Sequence, residues 1–328
     1  MSRLIRRTRQ IAEQWEQEHL APGAARSAQG GGRRLPEEPD RHRTAFERDR
    51  DRILHTKAFR RLKHKTQVFI NPDGDHFVTR LTHTLQVTQI GRSIAAYLGL
   101  NEPLTEAICL GHDVGHSPFG HIGEEALTPY VAGEWHHAAQ SVRVFEVLEP
   151  CNLTVETLDG IRAHSWKIDP PPETEEGMVC RYADRIAYLT HDVHDAVRVG
   201  VLDYSDLPAE AVAAFGPPET WIAVMIEAVV GASVEAGTVT MHPEALEAMT
   251  LLRDFMFDRV YLRPEADEQR RHAIDVIRDL VDHYSARPDE VPDTYRHQDA
   301  GAAAAAIDYV SGMTDRFALR DWERIARR

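Results

Sequence analysis

Cysteine is scarce in this 328-residue chain, which contains only three. Cys109, Cys151 and Cys180 form no C-x-x-C pair and are odd in number, so the sequence predicts neither a disulfide scaffold nor a thiolate zinc ribbon. Long apolar runs are also missing, because no stretch reaches the roughly 18 residues needed to span a bilayer. Residues 1–15 are basic and amphipathic and lack the apolar run and cleavage site of a secretory signal. We therefore expect a cytoplasmic protein without a membrane partner.

Three common catalytic motifs are missing as well. The sequence has no G-x-x-x-x-G-K-[ST] phosphate loop, no G-x-G-x-x-G after a strand and no G-x-S-x-G elbow, which argues against P-loop kinases, dinucleotide-dependent dehydrogenases and serine hydrolases. Histidine, by contrast, is concentrated, since 13 of the 18 histidines lie between His42 and His194. Imidazole suits both metal binding and acid–base catalysis near neutral pH, so we expect a site in this window.

Charge is unevenly distributed along the chain. Residues 1–70 carry a net charge of +8 and the remainder −22, within a total of −14. The basic segment predicts a local anionic partner, such as a nucleic acid or a polyphosphate. The alternative is a solvated or salt-bridged arm, because Glu47, Asp49 and Asp51 alternate with arginines within residues 41–65.

The secondary-structure pattern is almost entirely helical, and the predicted fold class is all-α. Apolar residues recur at helical spacing between Arg43 and Lys65, and helices are predicted over 80–98 and 176–198 among others. A short β-hairpin is predicted near residues 66–79, where TQVFI and HFVTR flank the turn-rich NPDGD. We predict three parts: a basic N-terminal segment with a Gly/Pro-rich loop (1–42), a helical core (43–200) and a C-terminal helical part packed on that core (201–328).

The segment of residues 109–125, CLGHDVGHSPFGHIGEE, concentrates the candidate catalytic side chains. A helix ending in this segment would present His112 and Asp113 to one ion from two sides, and mixed nitrogen and oxygen ligation suits Mn²⁺, Fe²⁺, Co²⁺, Zn²⁺ or, less well, Mg²⁺. Two other predicted helices offer His83 and Asp184 as further ligands. The alternative for each is a hydrogen-bonded interior group or a solvent-facing side chain.

The ordered set of His83, His112–Asp113 and Asp184 resembles the signature of the HD-domain metal-dependent phosphohydrolases. Five flanking segments narrow the resemblance: FRRLKHKTQVF, TRLTHTLQVTQIGRSIA, GHDVGHSPFGHIGEEAL, HHAAQSVRV and DYVSGMTDRFAL. Together they resemble the deoxyguanosinetriphosphate triphosphohydrolase-like family over residues 43–319, most of the chain. The resemblance implies an HD-domain helical core within residues 43–200.

The resemblance also implies roles for particular residues. The implied ligands of a divalent metal ion, with Mn²⁺ or Mg²⁺ favoured and Fe²⁺, Co²⁺ or Zn²⁺ left open, are His83, His112, Asp113 and Asp184. The implied catalytic group consists of His121, Glu124, His116 and His137. The implied substrate-binding residues are Gln67, Arg80, Arg185, Tyr188, Asp192 and Arg253.

The implied reaction is hydrolysis of a deoxynucleoside triphosphate (dNTP) to a deoxynucleoside and inorganic triphosphate, by attack of metal-activated water on the α-phosphorus. His121, oriented by Glu124, would protonate the departing 5′ oxygen. Members of the family commonly form hexamers and some need a dNTP activator, so the resemblance implies a homo-oligomer and leaves room for an activator. Two alternatives stay open: an HD phosphohydrolase acting on another nucleotide phosphoester, and a regulator that binds dNTPs or single-stranded DNA.

Overall fold

The computed structural model describes residues 6–67, 78–261, 267–297 and 301–327. Within these ranges the chain forms α-helices, short 3-10 and π segments and no β-strand, so the all-α prediction is confirmed. The α-helices are α1 (Arg9–His19), α2 (Ala45–His55), α3 (Lys57–Arg61), α4 (Arg80–Leu98), α5 (Glu102–Gly111), α6 (His121–Leu127), α7 (His137–Arg143), α8 (Val155–Ala163), α9 (Glu175–Arg198), α10 (Ala209–Phe215), α11 (Trp221–Ala236), α12 (Pro243–Met256), α13 (Asp267–Ala286), α14 (Ala302–Ser311) and α15 (Asp315–Ala326). None of these described helices is long and apolar enough to cross a membrane.

The predicted β-hairpin is not supported. A single antiparallel bridge joins Thr66 to Thr79, and neither flank forms a strand within the described residues. The Thr79 side chain accepts a hydrogen bond from the backbone N–H of Thr82 and caps α4, while the N–H of Thr66 donates to the Asp315 carboxylate. The backbone N–H groups of Thr82 and Thr66 therefore donate to side chains, and not to the backbone of a neighbouring strand. Residues 68–77, on which most of this prediction falls, lie outside the described residues.

The helices that carry the candidate site begin at capping residues. Thr79 before α4, Asn101 before α5 and Thr174 before α9 each accept a hydrogen bond from the backbone N–H three residues later. A cap of this kind contributes about 1 kcal/mol to stability. Because α5 ends at Gly111, the His–Asp pair that begins at His112 follows directly from the end of a helix.

The larger of two hydrophobic clusters packs α4, α5 and α9 against one another. Ile90 of α4, Ile108 of α5 and Ile186 of α9 have no solvent exposure. Burying a side chain of this size stabilises the fold by roughly 1.5–3 kcal/mol. At Gly91, an added Cβ would lie 2.8 Å from Sγ of Cys109, so the absent side chain permits the close approach of α4 to α5. This packing fixes the relative positions of the helices that carry the candidate metal ligands.

A second hydrophobic cluster joins α6 to the C-terminal helices α13, α14 and α15, with Leu127 and Leu280 fully buried in it. Asp315, at the start of α15, accepts hydrogen bonds from the backbone N–H groups of Phe119 at 3.1 Å and Thr66 at 2.9 Å. The C-terminal helices therefore hold the loop that leads into α6.

Glu176, in the first turn of α9, is a fully buried carboxyl that joins three parts of the chain. Its Oε1 accepts hydrogen bonds from the backbone N–H groups of Ala25 at 3.0 Å and Asn101 at 2.9 Å. Burial raises the pKa of Glu176 from 4.5 to about 7, although these hydrogen bonds act in the opposite direction. The stability that this group contributes is therefore complete below about pH 4.5 and is lost as the pH rises to about 7.

The variant Glu176→Gln should gain stability relative to the wild type as the pH rises, because the amide keeps an acceptor oxygen and does not ionise. Urea unfolding gives the free energy of unfolding of the variant minus that of the wild type. This difference should be about 1–3 kcal/mol larger at pH 8 than at pH 5. Glu235→Gln, at an exposed position of α11, serves as the control and should give the same difference at both pH values. A pH-independent difference for Glu176→Gln would contradict the prediction.

Candidate active site

Four side chains with metal-ligand chemistry converge from α4, α9 and the turn after α5. Nε2 of His83 lies 3.1 Å from Oδ1 of Asp184, and Nε2 of His112 lies 3.8 Å from the same oxygen. Oδ1 of Asp113 lies 3.6 Å from Nε2 of His112. The ligand atoms of His83, His112 and Asp184 are all within 4.8 Å of one another, close enough to bind one ion. We call these four residues the first cluster.

The chemistry of the first cluster fits a divalent metal ion. Nδ1 of His112 donates to the carbonyl oxygen of Cys109 at 2.6 Å, which leaves the lone pair on Nε2. Within the described part of the chain, that buried Nε2 has no hydrogen-bond partner. Burial alone would raise the pKa of Asp184, but the hydrogen bond from His83 and the nearby imidazoles outweigh it and lower the pKa to about 2. The cluster therefore offers an ionised carboxylate beside a free imidazole nitrogen, a set that many divalent ions accept and that does not select one of them.

Asp113 connects the first cluster to its surroundings. Its Oδ2 accepts a hydrogen bond from the buried Arg80 guanidinium at 2.7 Å, while Oδ1 faces His112, His116 and His137. Burial opposes ionisation, but these imidazoles and Arg80 together hold the pKa of Asp113 well below its usual range. Asp113 is therefore an anion with one oxygen already paired and the other directed toward the histidines.

Glu124 of α6 holds two histidines at once. Its Oε2 accepts from Nδ1 of His121 at 2.8 Å, and its Oε1 accepts from Nδ1 of His137 at 2.7 Å. Although burial opposes ionisation, these interactions hold the pKa of Glu124 well below its usual range. The His121 side chain is 73% exposed, whereas His137 is buried and its ring stacks on His116 at a centroid distance of 4.1 Å. We call Glu124, His121 and His137 the acid–base group.

The chain reaches His121 through a backbone conformation that favours glycine. Gly120 has φ +61°, and a Cβ there would lie 2.8 Å from the guanidinium of Arg80 and 3.4 Å from the carbonyl oxygen of Gln67. Gly120 therefore lets the start of α6 lie against both residues. The side-chain oxygen of Gln67 is buried and has no hydrogen-bond partner among the residues that the structure describes.

Three predicted substrate-binding residues follow Asp184 along α9. The Arg185 guanidinium lies over the ring of Trp166, 4.0 Å from its centroid. Burial raises the pKa of Tyr188 to about 12, while the charge of Arg185 acts in the opposite direction. Burial also raises the pKa of Asp192 to about 7, and its Oδ2 accepts a hydrogen bond from the hydroxyl of Tyr261 at 2.6 Å.

Arg253 reaches the same region from α12. Its guanidinium donates to Asp254 at 2.8 Å and lies 4.5 Å from the centroid of the Phe257 ring. Burial is the largest influence on the pKa values of Arg185 and Tyr188, lowering the first and raising the second, and the positive charge of Arg253 acts to lower both. The structure thus places the predicted metal, catalytic and substrate-binding residues around one region, and their individual roles stay predictions.

Two polar residues of this region were missed by sequence reasoning. His164 lies just after α8, and its Nε2 is 3.0 Å from Nε2 of His137. Burial lowers the pKa of His164 to about 3, so it is neutral near pH 7. The position of His164 within the histidine-rich window of residues 42–194 was the one feature of the sequence that could have indicated its place in this region. The other, Tyr261, ends the segment FDRVY, and nothing in the sequence of that segment connects it to Asp192.

Three curated relatives match nearly the whole chain. They are deoxyguanosinetriphosphate triphosphohydrolase-like proteins of Caldanaerobacter subterraneus subsp. tengcongensis, Desulfatibacillum aliphaticivorans and Clostridium perfringens, which are 45%, 42% and 40% identical to it. Each match covers 97% of this chain and 96–97% of the relative. A solved structure of a hypothetical protein from Aquifex aeolicus is 21% identical and covers 83% of this chain and 67% of that chain, with a TM-score of 0.47.

Two family models match separate parts of the chain. The HD domain matches residues 80–189, which include the whole first cluster, and the phosphohydrolase-associated domain matches residues 239–324. The helical fold, the cluster and these matches define an HD-domain phosphohydrolase. On the full-length identities, the chain belongs to the deoxyguanosinetriphosphate triphosphohydrolase-like family.

Proposed function

We propose that the protein hydrolyses deoxynucleoside triphosphates to a deoxynucleoside and inorganic triphosphate. The observation that carries this proposal is the adjacency of the first cluster to the acid–base group, since Oδ1 of Asp113 lies 3.6 Å from Nε2 of His112 and 3.7 Å from Nε2 of His137. Because Glu124 holds His121 as well as His137, water activated by the ion and a proton donor for the leaving oxygen could act at one phosphate group. The names of the relatives support deoxyguanosine triphosphate as the first substrate to test.

The first cluster would hold the ion and the nearby arginines would hold the substrate phosphates. A divalent ion bound by these four residues would polarise an α-phosphate oxygen and lower the pKa of the attacking water. Arg80, Arg185 and Arg253 supply fixed positive charge from three helices. Charge that develops on the phosphoryl oxygens in the transition state would be stabilised by these guanidinium groups.

His121 would supply the proton for the departing 5′ oxygen. Because its Nδ1 donates to Glu124, Nε2 is the atom that faces outward and can transfer a proton to substrate. The exposure of this side chain suits a group that must reach a bound ligand. The Glu124 carboxylate stabilises the protonated imidazole and fixes its orientation.

The sugar would lie against α9. Tyr188 and Asp192 are one turn apart on α9, the helix that also carries Asp184 of the first cluster, and Gln67 lies in the chain before α4. A tyrosine ring packed against the 2′ carbon would exclude a ribose hydroxyl sterically. His116 and His137 would line the phosphate side of the same region.

The arginines near the N-terminus favour the enzyme over the nucleic-acid regulator. In the described part of this segment, several arginines lie within ion-pair distance of carboxylates, including Arg33 with Asp49, and Arg43 with Asp51 at 2.9 Å. These ion pairs support the salt-bridged interpretation of the segment. Assembly into a homo-oligomer and activation by a dNTP remain predictions from the family resemblance.

Product analysis with each dNTP in H₂¹⁸O and Mn²⁺ tests the proposal. We expect deoxynucleoside and intact triphosphate, with ¹⁸O in the triphosphate, because water attacks the α-phosphorus and the bond from phosphorus to the 5′ oxygen breaks. Chelation with EDTA should abolish the reaction, and the matching ribonucleotides should react poorly. Formation of monophosphate and pyrophosphate, or ¹⁸O in the deoxynucleoside, would overturn the proposal.

A further inference from the structure

Two arginines of α9 lie over the ring of one tryptophan. The guanidinium carbon of Arg185 is 4.0 Å from the centroid of the Trp166 ring, and that of Arg181 is 5.5 Å from it. The arginines are four residues apart and therefore share a helix face, while Trp166 lies in the segment that joins α8 to α9. The function proposed above does not use Trp166.

The Trp166 ring is held in place by α9. Its Nε1–H donates to the carbonyl oxygen of Arg181 at 3.0 Å, and the ring of Tyr182 meets it edge to face with centroids 5.1 Å apart. The Arg181 guanidinium in turn donates to the carbonyl oxygens of Ser165 and Ile168, both at 2.8 Å. The chain on either side of Trp166 is thereby attached to α9, and the ring presents a fixed face to Arg185.

Arg185 differs from Arg181 in its polar partners. Its side chain is buried, and its Nε has no hydrogen-bond partner among the described residues. Its polar neighbour along α9 is the Tyr188 side chain, and no carboxylate of the described residues lies within 4.0 Å of its nitrogens. A buried charge without an oppositely charged partner is costly. The face of the indole ring offsets part of that cost, because its negative potential attracts a cation.

An aromatic face orients a guanidinium group without using its N–H groups. The ring attracts the flat face of the cation, whereas hydrogen bonds to oxygen form at the edges of that plane. A carboxylate partner would occupy two of the N–H groups in a fork-shaped pair. Because Arg185 lies over Trp166 and not against a carboxylate, those N–H groups are kept for an anionic ligand.

The position of Arg185 indicates which anion it would bind. Arg185 directly follows Asp184 of the first cluster, and the positive charge of Arg253 acts on it from α12. Two guanidinium groups from separate helices therefore lie near a candidate metal site. Several charged oxygens on one ligand satisfy such a set, as a phosphate chain provides.

We propose that Trp166 is a positioning residue for phosphate binding, which holds the Arg185 guanidinium in the orientation that binds the triphosphate of the substrate. Trp166 acts through Arg185 and does not contact the substrate. The inference deepens the proposed function and rests on it, because Arg185 is assigned to the phosphates there. The competing explanation is that Trp166 only packs against the larger hydrophobic cluster, with which it is in contact.

The two explanations differ in how substitutions of Trp166 and Arg185 combine. The measurement is the Kd of inorganic triphosphate for the full-length protein at one fixed Mn²⁺ concentration, by isothermal titration calorimetry. We expect Trp166→Leu to raise Kd about tenfold, the size of a partly desolvated cation–π interaction. Trp166→Phe keeps a ring with weaker attraction for a cation and should raise Kd about threefold. In an Arg185→Met background, neither substitution should raise Kd further.

Trp322→Leu is the matched control. Trp322 is also partly buried and donates its Nε1–H to a fixed acceptor, Asp279 at 2.8 Å, but it lies on α15. This variant should keep the wild-type Kd. An unchanged Kd for Trp166→Leu would overturn the proposal, and so would an equal increase in the wild-type and Arg185→Met backgrounds. If Trp166→Leu does not fold, Trp166→Phe is judged by the same two criteria.

Product analysis of the same proteins separates this inference from the proposed function. Release of triphosphate by the wild type, together with an unchanged Kd for Trp166→Leu, rejects the positioning role and leaves the proposed function intact. The reverse result is no triphosphate release by the wild type, with the expected dependence of the Trp166 effect on Arg185. That result rejects the proposed function and supports the positioning of Arg185 for phosphate.

Discussion

Asp184→Asn should lower kcat for triphosphate release by about 10³-fold and reduce Mn²⁺ content by one ion per chain. The Asp184 carboxylate has a pKa of about 2 and is therefore ionised at neutral pH, with His83 and His112 directed toward the same oxygen. The amide removes the negative charge on which a divalent ion depends. Loss of several kcal/mol of transition-state stabilisation corresponds to a rate effect of this size.

Metal content and turnover must fall together for this interpretation to hold. Asp275→Asn is the matched control, because Asp275 is an exposed carboxylate on α13, far along the chain from the first cluster. It should retain wild-type kcat and metal content. If Asp184→Asn kept wild-type turnover after removal of free metal, the first cluster would not be the catalytic metal site.

Helices with a clear apolar period and a cap could be predicted from the sequence. The prediction of 80–98 agrees with α4 at Arg80–Leu98, and that of 176–198 agrees within one residue with α9 at Glu175–Arg198. The pattern over Arg43–Lys65 does not form one helix. Thr56 ends α2 and caps α3, because its hydroxyl accepts from the N–H of Phe59. A single polar residue within a helical apolar pattern does not by itself predict that the helix ends there.

One helix that the sequence analysis missed lacks that period. In α14, Ala302–Ser311, alanines occupy the first five positions, so no apolar stripe distinguishes one face. Alanine has the highest helix propensity, and the small side chains of Ala305 and Ala306 fit the second hydrophobic cluster against α13. The spacing of apolar residues could not predict this helix, whereas the high helix propensity of alanine could.

The candidate site was predictable where its residues are close in sequence or belong to a family motif. His121 and Glu124 share a helix face and form the hydrogen bond that this spacing predicts. The contact between His137 and His164 joins two helix ends that only the fold brings together. The pairing of Asp192 with Tyr261 spans 69 residues. Sequence spacing carries no signal for such contacts.

Glu124→Gln should lower kcat by about 10²–10⁴-fold, the range expected for loss of general acid catalysis. The carboxylate accepts from Nδ1 of both His121 and His137. An amide has one acceptor oxygen, so its NH₂ would face the N–H of one histidine. Either histidine would have to move or change its tautomer, and the negative charge that stabilises protonated His121 would be lost. His121→Gln should therefore show a loss of similar size.

The adjacent residue provides the control for this prediction. Glu125 lies on the same helix, is exposed and pairs with Arg270 at 2.6 Å, so Glu125→Gln should keep wild-type kcat. The double variant Glu124→Gln/His121→Gln should have a kcat only slightly lower than that of either single variant. The effects of substitutions on kcat are not additive when the residues act as a unit. A p-nitrophenyl ester of triphosphate has a leaving group that needs no proton, and on it both single variants should recover most of the lost rate. Equal losses on this ester and on the dNTP would show that Glu124 and His121 do not protonate the leaving group.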